Sequence, residues 1–198
     1  MAKNRRTLAI AAFVAAHVSA SGVEAADRPA IAVDLQNYAD VPPALVKAAG
    51  NEVKAIYDAA GIRILWLTGT ADAIDVQPVL RLSVLLLTAE MQSRLNLATD
   101  ERPTVFGRAC RSEARAWILW DRIRTYTADH HADAGLLLGR VIAHELGHLV
   151  LPAYSHSNRG IMQARMDPTR SVEQFTSEQV RTLHTILVGD SFAGATTR

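Results

Sequence analysis

The residues with the most evident chemistry lie in "AHELGHLVLPAYSHSNRGIM", residues 143–162. His144 and His148 are four positions apart, so on a helix they stand about 40° apart around the axis and one turn apart along it. Both imidazoles can therefore reach one ion, and imidazole nitrogen is a common ligand of zinc. Glu145 projects beside the pair, where its carboxylate can accept a proton from a metal-bound water without binding the metal. The spacing indicates a catalytic zinc site with Glu145 as general base.

A catalytic zinc requires a third protein ligand and leaves the fourth position to water. His156 is the nearest candidate, eight residues beyond His148 and past Pro152, which ends the helix. The turn signal "NRG" follows, with Gly160 free to take a positive φ, and Met162 then returns an apolar side chain beneath the site. These features predict His156 as the third ligand.

Two glutamates are alternatives for that position by spacing alone. Glu173 and Glu178 lie 25 and 30 residues past His148, and a different class of zinc peptidase completes the same motif with a glutamate on a later helix. However, Glu173 lies in the polar segment "SVEQ", and Glu178 lies in the first turn of a predicted helix, where acidic residues favour the helix dipole. Both are therefore weaker candidates than the histidine.

The stretch resembles the metzincin clan of zinc metallopeptidases, whose pattern is H-E-x-x-H-x-x-G-x-x-H followed by a turn that contains methionine. It is most similar to small bacterial, archaemetzincin-like proteins that read "HELGHLLL…HSPxGIM". The resemblance implies His144, His148 and His156 as metal ligands, Glu145 as the catalytic carboxylate and Met162 as the methionine of the turn. It also implies a zincin-like fold.

The chain departs from the clan pattern at two points. Leu151 stands where the clan has glycine, and the third histidine comes eight rather than six residues after His148. Tyr154 occupies the usual position, but a neutral phenol is a poor metal ligand. By analogy with the clan, an edge strand above the site would bind an extended substrate by strand addition, and "TVFGRA", residues 104–109, is the candidate strand.

The elements that must position these residues follow from the hydrophobic periodicity. Strands are predicted at 31–38, 62–67, 79–87, 103–110 and 116–123, and helices at 44–60, 88–98, 132–151 and 176–187. The helix over 132–151 is apolar nearly all round, which predicts a buried helix, with Asp133 as its N-cap. Thr176 and Gln179 form a capping-box pattern. The order predicts a mixed α/β (α+β) fold, in which a mixed twisted sheet packs on a buried active-site helix and a C-terminal helix.

The N-terminus has the composition of a secretory signal peptide. A basic segment, "KNRR", precedes an apolar, alanine-rich run and small residues, which predicts a signal peptide over 1–26 with cleavage near Ala25 or Ala26. The alternative is a retained membrane anchor, but the apolar run is shorter than the roughly 20 residues that span a bilayer. We therefore expect one secreted or periplasmic domain over 27–198, with no stable membrane insertion.

Charge and cysteine content exclude several classes of function. The chain of 198 residues has a net charge of +1, and cleavage at residue 26 leaves 18 basic and 19 acidic residues. A nearly neutral domain is an improbable partner for nucleic acid. Cys110 is the single cysteine, so no internal disulfide forms. It is interpreted as a buried small residue, with a thiol near the metal as the alternative.

The combined interpretation is a zinc-dependent endopeptidase that acts on a protein or peptide substrate. Two alternatives stay open: a zinc-binding or partner-binding protein without activity, and a zinc amidase that acts on cell-wall peptides. Three other histidines are assigned no catalytic role. His130 and His131 are interpreted as solvated loop residues, with a second metal site as the alternative, and His184 as a packing residue.

Overall fold

The structure is a computed structural model that describes residues 28–67, 77–95, 97, 105–165 and 174–193. The predicted signal peptide lies outside these residues, and so do Thr104 and Glu173. No helix in the described ranges is long and apolar enough to cross a membrane.

A five-stranded sheet forms the frame of the molecule. Its strands are β1 (Ala30–Asn37), β2 (Arg63–Leu67), β3 (Leu80–Leu87), β4 (Gly107–Cys110) and β5 (Arg115–Leu119). The order across the sheet is β2-β1-β3-β5-β4. β1 pairs in parallel with β2 and β3, and β3 pairs in parallel with β5, whereas β4 runs antiparallel to β5 at the edge. The sheet is mixed, as predicted.

Within the described ranges, five α-helices accompany the sheet: α1 (Pro43–Ala59), α2 (Ala89–Arg94), α3 (Trp120–His130), α4 (Ala134–Val150) and α5 (Ser177–Ala193). α4 carries the H-E-x-x-H motif and is buried along almost its whole length. Its mostly apolar surface explains this position, because a helix without a polar face has no side to present to water. The fold is therefore the predicted arrangement of a mixed sheet packed on helices.

α1 lies against α4 at close range and supports it. A Cβ at Gly139 would come within 2.7 Å of the Ala49 carbonyl oxygen of α1, so the backbones approach more closely than larger residues allow. Beside this contact the buried Arg140 guanidinium pairs with Glu52 at 3.1 Å. A buried charge of this kind requires its partner, because desolvation without pairing is costly. The pair therefore fixes how α4 is oriented on α1.

The predicted helix ends are confirmed at two positions. Asp133 Oδ1 accepts a hydrogen bond from the Leu136 amide at 2.9 Å and caps α4. Thr176 and Gln179 form the reciprocal capping box: Thr176 Oγ1 accepts from the Gln179 amide at 3.3 Å, and Gln179 Oε1 accepts from the Thr176 amide at 2.9 Å. Local side-chain caps of this kind can be predicted because both partners lie within one turn.

The prediction of one strand over 116–123 was wrong. The strand ends at Leu119, and α3 begins at Trp120. Trp120, Ile123 and Thr127 are the buried residues of α3, and their spacing of three and four places them on one helical face. An apolar run of this length is compatible with a strand or a helix, so composition did not separate the two.

Candidate metal centre

Three imidazoles converge at the end of α4. His144 and His148 lie on its last turns, and His156 lies on the loop that follows. His148 Nε2 is 3.0 Å from His144 Nε2 and 3.1 Å from His156 Nε2, and one ligand atom of each ring lies within 4.8 Å of the others. Nitrogens that share one zinc at about 2.0 to 2.1 Å in tetrahedral geometry stand about 3.3 Å apart. The three histidines therefore form a group that can bind a metal ion.

Hydrogen bonds orient two of the rings from behind. His144 Nδ1 lies 2.8 Å from the carbonyl oxygen of Ile161, to which it donates, so the lone pair on Nε2 faces the other rings. Ser155 Oγ lies 3.4 Å from His148 Nδ1. A cation at the centre would accept the Nε2 lone pairs of all three rings at once. Without a cation, the single hydrogen on His148 Nε2 can be donated to only one of the two neighbouring rings. This donor set fits zinc.

Burial keeps two of these rings in the form that binds metal. It lowers the pKa of His144 from 6.5 to about 4, against the opposing hydrogen bond to Ile161 and with a smaller contribution from a charge on His156. Burial also lowers the pKa of His148 to about 3, and charges on the two neighbouring histidines add to that effect. Metal ligation requires neutral imidazole, so both rings are ready for an ion near neutral pH.

Glu145 lies beside the group without belonging to it. Its side chain is 7% exposed, and burial raises the pKa of the carboxyl from 4.5 to about 8. The carboxyl contacts strand β4, since a Cβ on Gly107 would fall 2.7 Å from both Cγ and Oε1 of Glu145. A titratable group with a strongly shifted pKa beside a metal-binding group is typical of a functional site.

Met162 forms the floor beneath the histidines. It is fully buried, and a Cβ on Gly147 would lie 2.5 Å from its sulfur, so the thioether packs directly under α4. The turn that delivers it has Gly160 at φ +78°, the conformation that the sequence predicted. The Ser157 amide donates to the Met162 carbonyl at 2.9 Å and closes the loop. The sequence between His156 and Met162 therefore folds back under the centre.

The group opens to solvent on one side. His144 is buried, His148 is half-buried and His156 is exposed. Tyr154, which stands where the metzincin clan has its third histidine, is fully exposed with φ +63° and is not part of the group. Three ligands with one accessible side are typical of a catalytic zinc site, whereas structural sites are closed by four.

Glu178 and Cys110 do not join the histidines. Glu178 is exposed in the first turn of α5, and it is not part of the metal-binding group found among the described residues. Cys110 was expected to be buried, but it is half-exposed at the end of β4, with its sulfur 3.2 Å from Ser112 Oγ. That prediction was wrong because the antiparallel edge strand leaves the last residue of β4 partly open. The thiol does not belong to the metal group either.

The other three histidines of the described ranges lie away from the metal group. His184 Nε2 donates to the Ala60 carbonyl at 2.7 Å, as expected for a packing residue. His130 and His131 are exposed as predicted. His131 lies in the predicted loop between α3 and α4, whereas His130 belongs to α3. His130 is the last residue of α3 and stacks on Tyr126, with ring centroids 4.0 Å apart, and His131 ends that helix at φ +51°.

Two residues that support the centre were not anticipated. The Arg111 guanidinium donates to the Leu151 carbonyl at the end of α4. Gln179 was recognised only as a helix cap, yet its amide also reaches the loop that carries His156. No local signal identifies these contacts, because their partners lie 40 and 24 residues away along the chain.

No family model and no curated protein matches the sequence. Among solved structures, the chain is similar to the crystal structure of a zinc-dependent peptidase from Methanocorpusculum labreanum (strain Z), with a TM-score of 0.49 and 16% sequence identity. The match covers 77% of this chain and 99% of that chain. A similarity at this level says nothing about function, which is decided by the chemistry of the site.

Proposed function

We propose that the chain is a zinc-dependent endopeptidase that hydrolyses peptide bonds in protein or peptide substrates. The observation that carries the proposal is the open three-histidine group beside a buried carboxyl that does not belong to it. A zinc site that only stabilises a fold is usually closed by four ligands and needs no such carboxyl. The arrangement instead supplies a metal site and a separate proton acceptor.

His144, His148 and His156 would hold zinc through their Nε2 atoms. The Ile161 carbonyl would keep the His144 ring in the correct tautomer, and Met162 would support the loop from below. When bound, zinc supplies Lewis-acid chemistry, since it polarises a carbonyl and lowers the pKa of water.

Glu145 would act as the general base. One carboxylate oxygen accepts a proton from the attacking water and then delivers it to the amine nitrogen of the leaving peptide. The buried carboxyl is protonated near neutral pH without metal, because burial raises its pKa to about 8. A nearby dication favours the ionised form, so an occupied site would restore the carboxylate that the reaction needs.

Strand β4 would align the substrate. It is the edge strand of the sheet, and its side away from β5 is unpaired by any described strand. An extended peptide that pairs with this edge would run past Glu145, because Gly107 of β4 contacts that carboxyl. Main-chain pairing places a peptide bond beside the site with little dependence on its sequence. This pairing supports a protein or peptide substrate. β4 (Gly107–Cys110) overlaps the candidate strand over 104–109 at residues 107–109.

We also propose that the mature protein is secreted or periplasmic and begins near Ala26 or Asp27. The support is the signal-peptide pattern of residues 1–26. Intact-mass measurement of protein isolated from the cell envelope and from the medium tests it. A mature protein that retains Met1 would contradict the proposal.

Activity is tested with purified protein, its Glu145→Gln variant, denatured casein and a peptide library. We expect one zinc per chain in both proteins, hydrolysis by the wild type that a chelator abolishes and zinc restores, and a loss of about 10² to 10⁴ in rate for the variant. Zinc binding without hydrolysis of any peptide would favour the non-catalytic alternative. Cleavage restricted to cell-wall peptides would favour the amidase.

A further inference from the structure

Gln179 connects the start of α5 to the loop that carries His156. Its side chain is 7% exposed, and its Nε2 donates to the Ser155 carbonyl at 3.0 Å and to Ser157 Oγ at 3.1 Å. These two residues flank His156 in the sequence. The hydrogen bonds therefore hold the loop on both sides of the histidine, through the backbone of Ser155 and the side chain of Ser157.

The chemistry of these contacts requires a primary amide. Both Nε2 hydrogens are donated to the loop, while Oε1 accepts from the Thr176 amide at 2.9 Å within the helix cap. The Ser157 hydroxyl donates in turn to the Arg159 carbonyl at 2.8 Å, so it must accept from Gln179. A glutamate at this position would keep the acceptor of the cap but would lose both donors, and it would set a carboxylate against the Ser155 carbonyl.

His156 depends on its backbone more than the other two histidines do. His144 and His148 are fixed by helix α4, whereas His156 is exposed and lies on a loop. Loss of the two hydrogen bonds from Gln179 would leave the His156 side chain free to sample other positions, and ordering it again would cost conformational entropy.

We propose that Gln179 is a positioning residue that holds His156 within reach of the ion bound by His144 and His148. The inference rests on the proposed function, because it takes His156 as a metal ligand. Gln179 does not contact the metal. It acts through the Ser155 carbonyl and the Ser157 hydroxyl, so that α5 supports the third ligand.

The test measures zinc affinity by competition with a chromogenic chelator in four variants of the full chain. Gln179→Glu removes the donors and keeps a residue that is favourable in a capping box. Thr176→Ala is the matched control, because it removes the hydroxyl that accepts from the Gln179 amide in the same cap and takes no atom from the hydrogen bonds of Gln179 with Ser155 and Ser157. His156→Ala and the double variant His156→Ala/Gln179→Glu complete a double-mutant cycle.

We expect Gln179→Glu to weaken zinc binding by about 10- to 100-fold, the range for loss of a residue that orients a ligand. Thr176→Ala should lower the melting temperature of the metal-free protein and leave the affinity unchanged. In the His156→Ala background, Gln179→Glu should change the affinity by less than about threefold, because its target is already absent.

Two results would overturn the inference while the proposed ligands stand. One is wild-type affinity in Gln179→Glu together with weak binding in His156→Ala. The other is an equal effect of Gln179→Glu with and without His156. If His156→Ala itself bound zinc as the wild type does, the proposed ligand set would fall and the inference with it.

Discussion

Replacing Glu145 with glutamine tests whether the buried carboxyl is protonated in the folded, metal-free protein. In the folded, metal-free protein the pKa of this carboxyl is raised from 4.5 to about 8, and the cause is burial. A group whose pKa is raised on folding favours the folded state while it is protonated. Its contribution is therefore fully present below about pH 4.5 and is lost as the pH rises through about 8. Glutamine has a similar shape and does not titrate, so its contribution is constant.

The expected magnitude follows from the two pKa values. A tenfold change in proton affinity corresponds to about 1.36 kcal/mol, so a carboxyl with a pKa of about 8 instead of 4.5 destabilises the folded state at high pH by about 5 kcal/mol. The free energy of unfolding of a typical domain is about 5 to 15 kcal/mol, so an effect of this size is measurable. The free energies of unfolding of wild type and variant should change with pH in the same way at low pH. The difference between them should grow between about pH 5 and 9.

The assay is urea unfolding of both proteins across this pH range, in one series with a chelator and in a second series with zinc. His144 and His148 titrate in both proteins with lowered pKa values, so their opposite contribution cancels in the difference. We expect Glu145→Gln to gain up to about 5 kcal/mol relative to wild type at high pH, and zinc to reduce that gain, because a dication favours the ionised carboxyl. A difference in stability that stays flat from about pH 5 to 9 would refute a buried, protonated Glu145.

Three further substitutions test the site. His156→Ala should weaken zinc affinity by orders of magnitude. Glu178→Ala should leave the affinity unchanged, because the Glu178 side chain is exposed and outside the metal group. Titration with zinc measures both affinities, and the opposite result would make Glu178 the third ligand. Gly107→Ala should retain one zinc and lower kcat by about 100-fold, since its Cβ would fall 2.7 Å from Glu145 Cγ and displace the carboxyl. Wild-type kcat in that variant would show that Glu145 can move without consequence.

The motif helix could be predicted from the sequence because its determinants are local. The helical spacing of His144 and His148, the cap at Asp133 and the stop at Pro152 each involve residues within one or two turns. The structure confirms these three features and adds the long-range contacts of α1 with α4. Residues near in sequence therefore determined the geometry of the first two histidines.

The position of His156 depends on contacts that the sequence does not display. The turn at Gly160 and the floor at Met162 could be predicted from composition, but the hydrogen bonds from Gln179 span more than twenty residues. For the same reason Gln179 was identified as a cap alone, since the capping pattern explains its type completely. A residue with two roles is assigned only the local one when tertiary contacts are unknown.

Burial shifts the pKa values of His144 and His148 and that of Glu145 in opposite directions, and as a result the metal-free site carries no charge on these groups. It lowers the pKa of His144 and His148 and raises the pKa of Glu145, so near neutral pH all three are uncharged. An uncharged site avoids the large cost of isolated charges on a buried helix, so α4 can fold before an ion arrives. A bound dication would change the protonation state of Glu145 alone. It would favour the ionised carboxylate, whereas the histidines bind a metal in the neutral form that they already have. The burial that keeps His144 and His148 neutral thus also keeps Glu145 protonated until a cation is present.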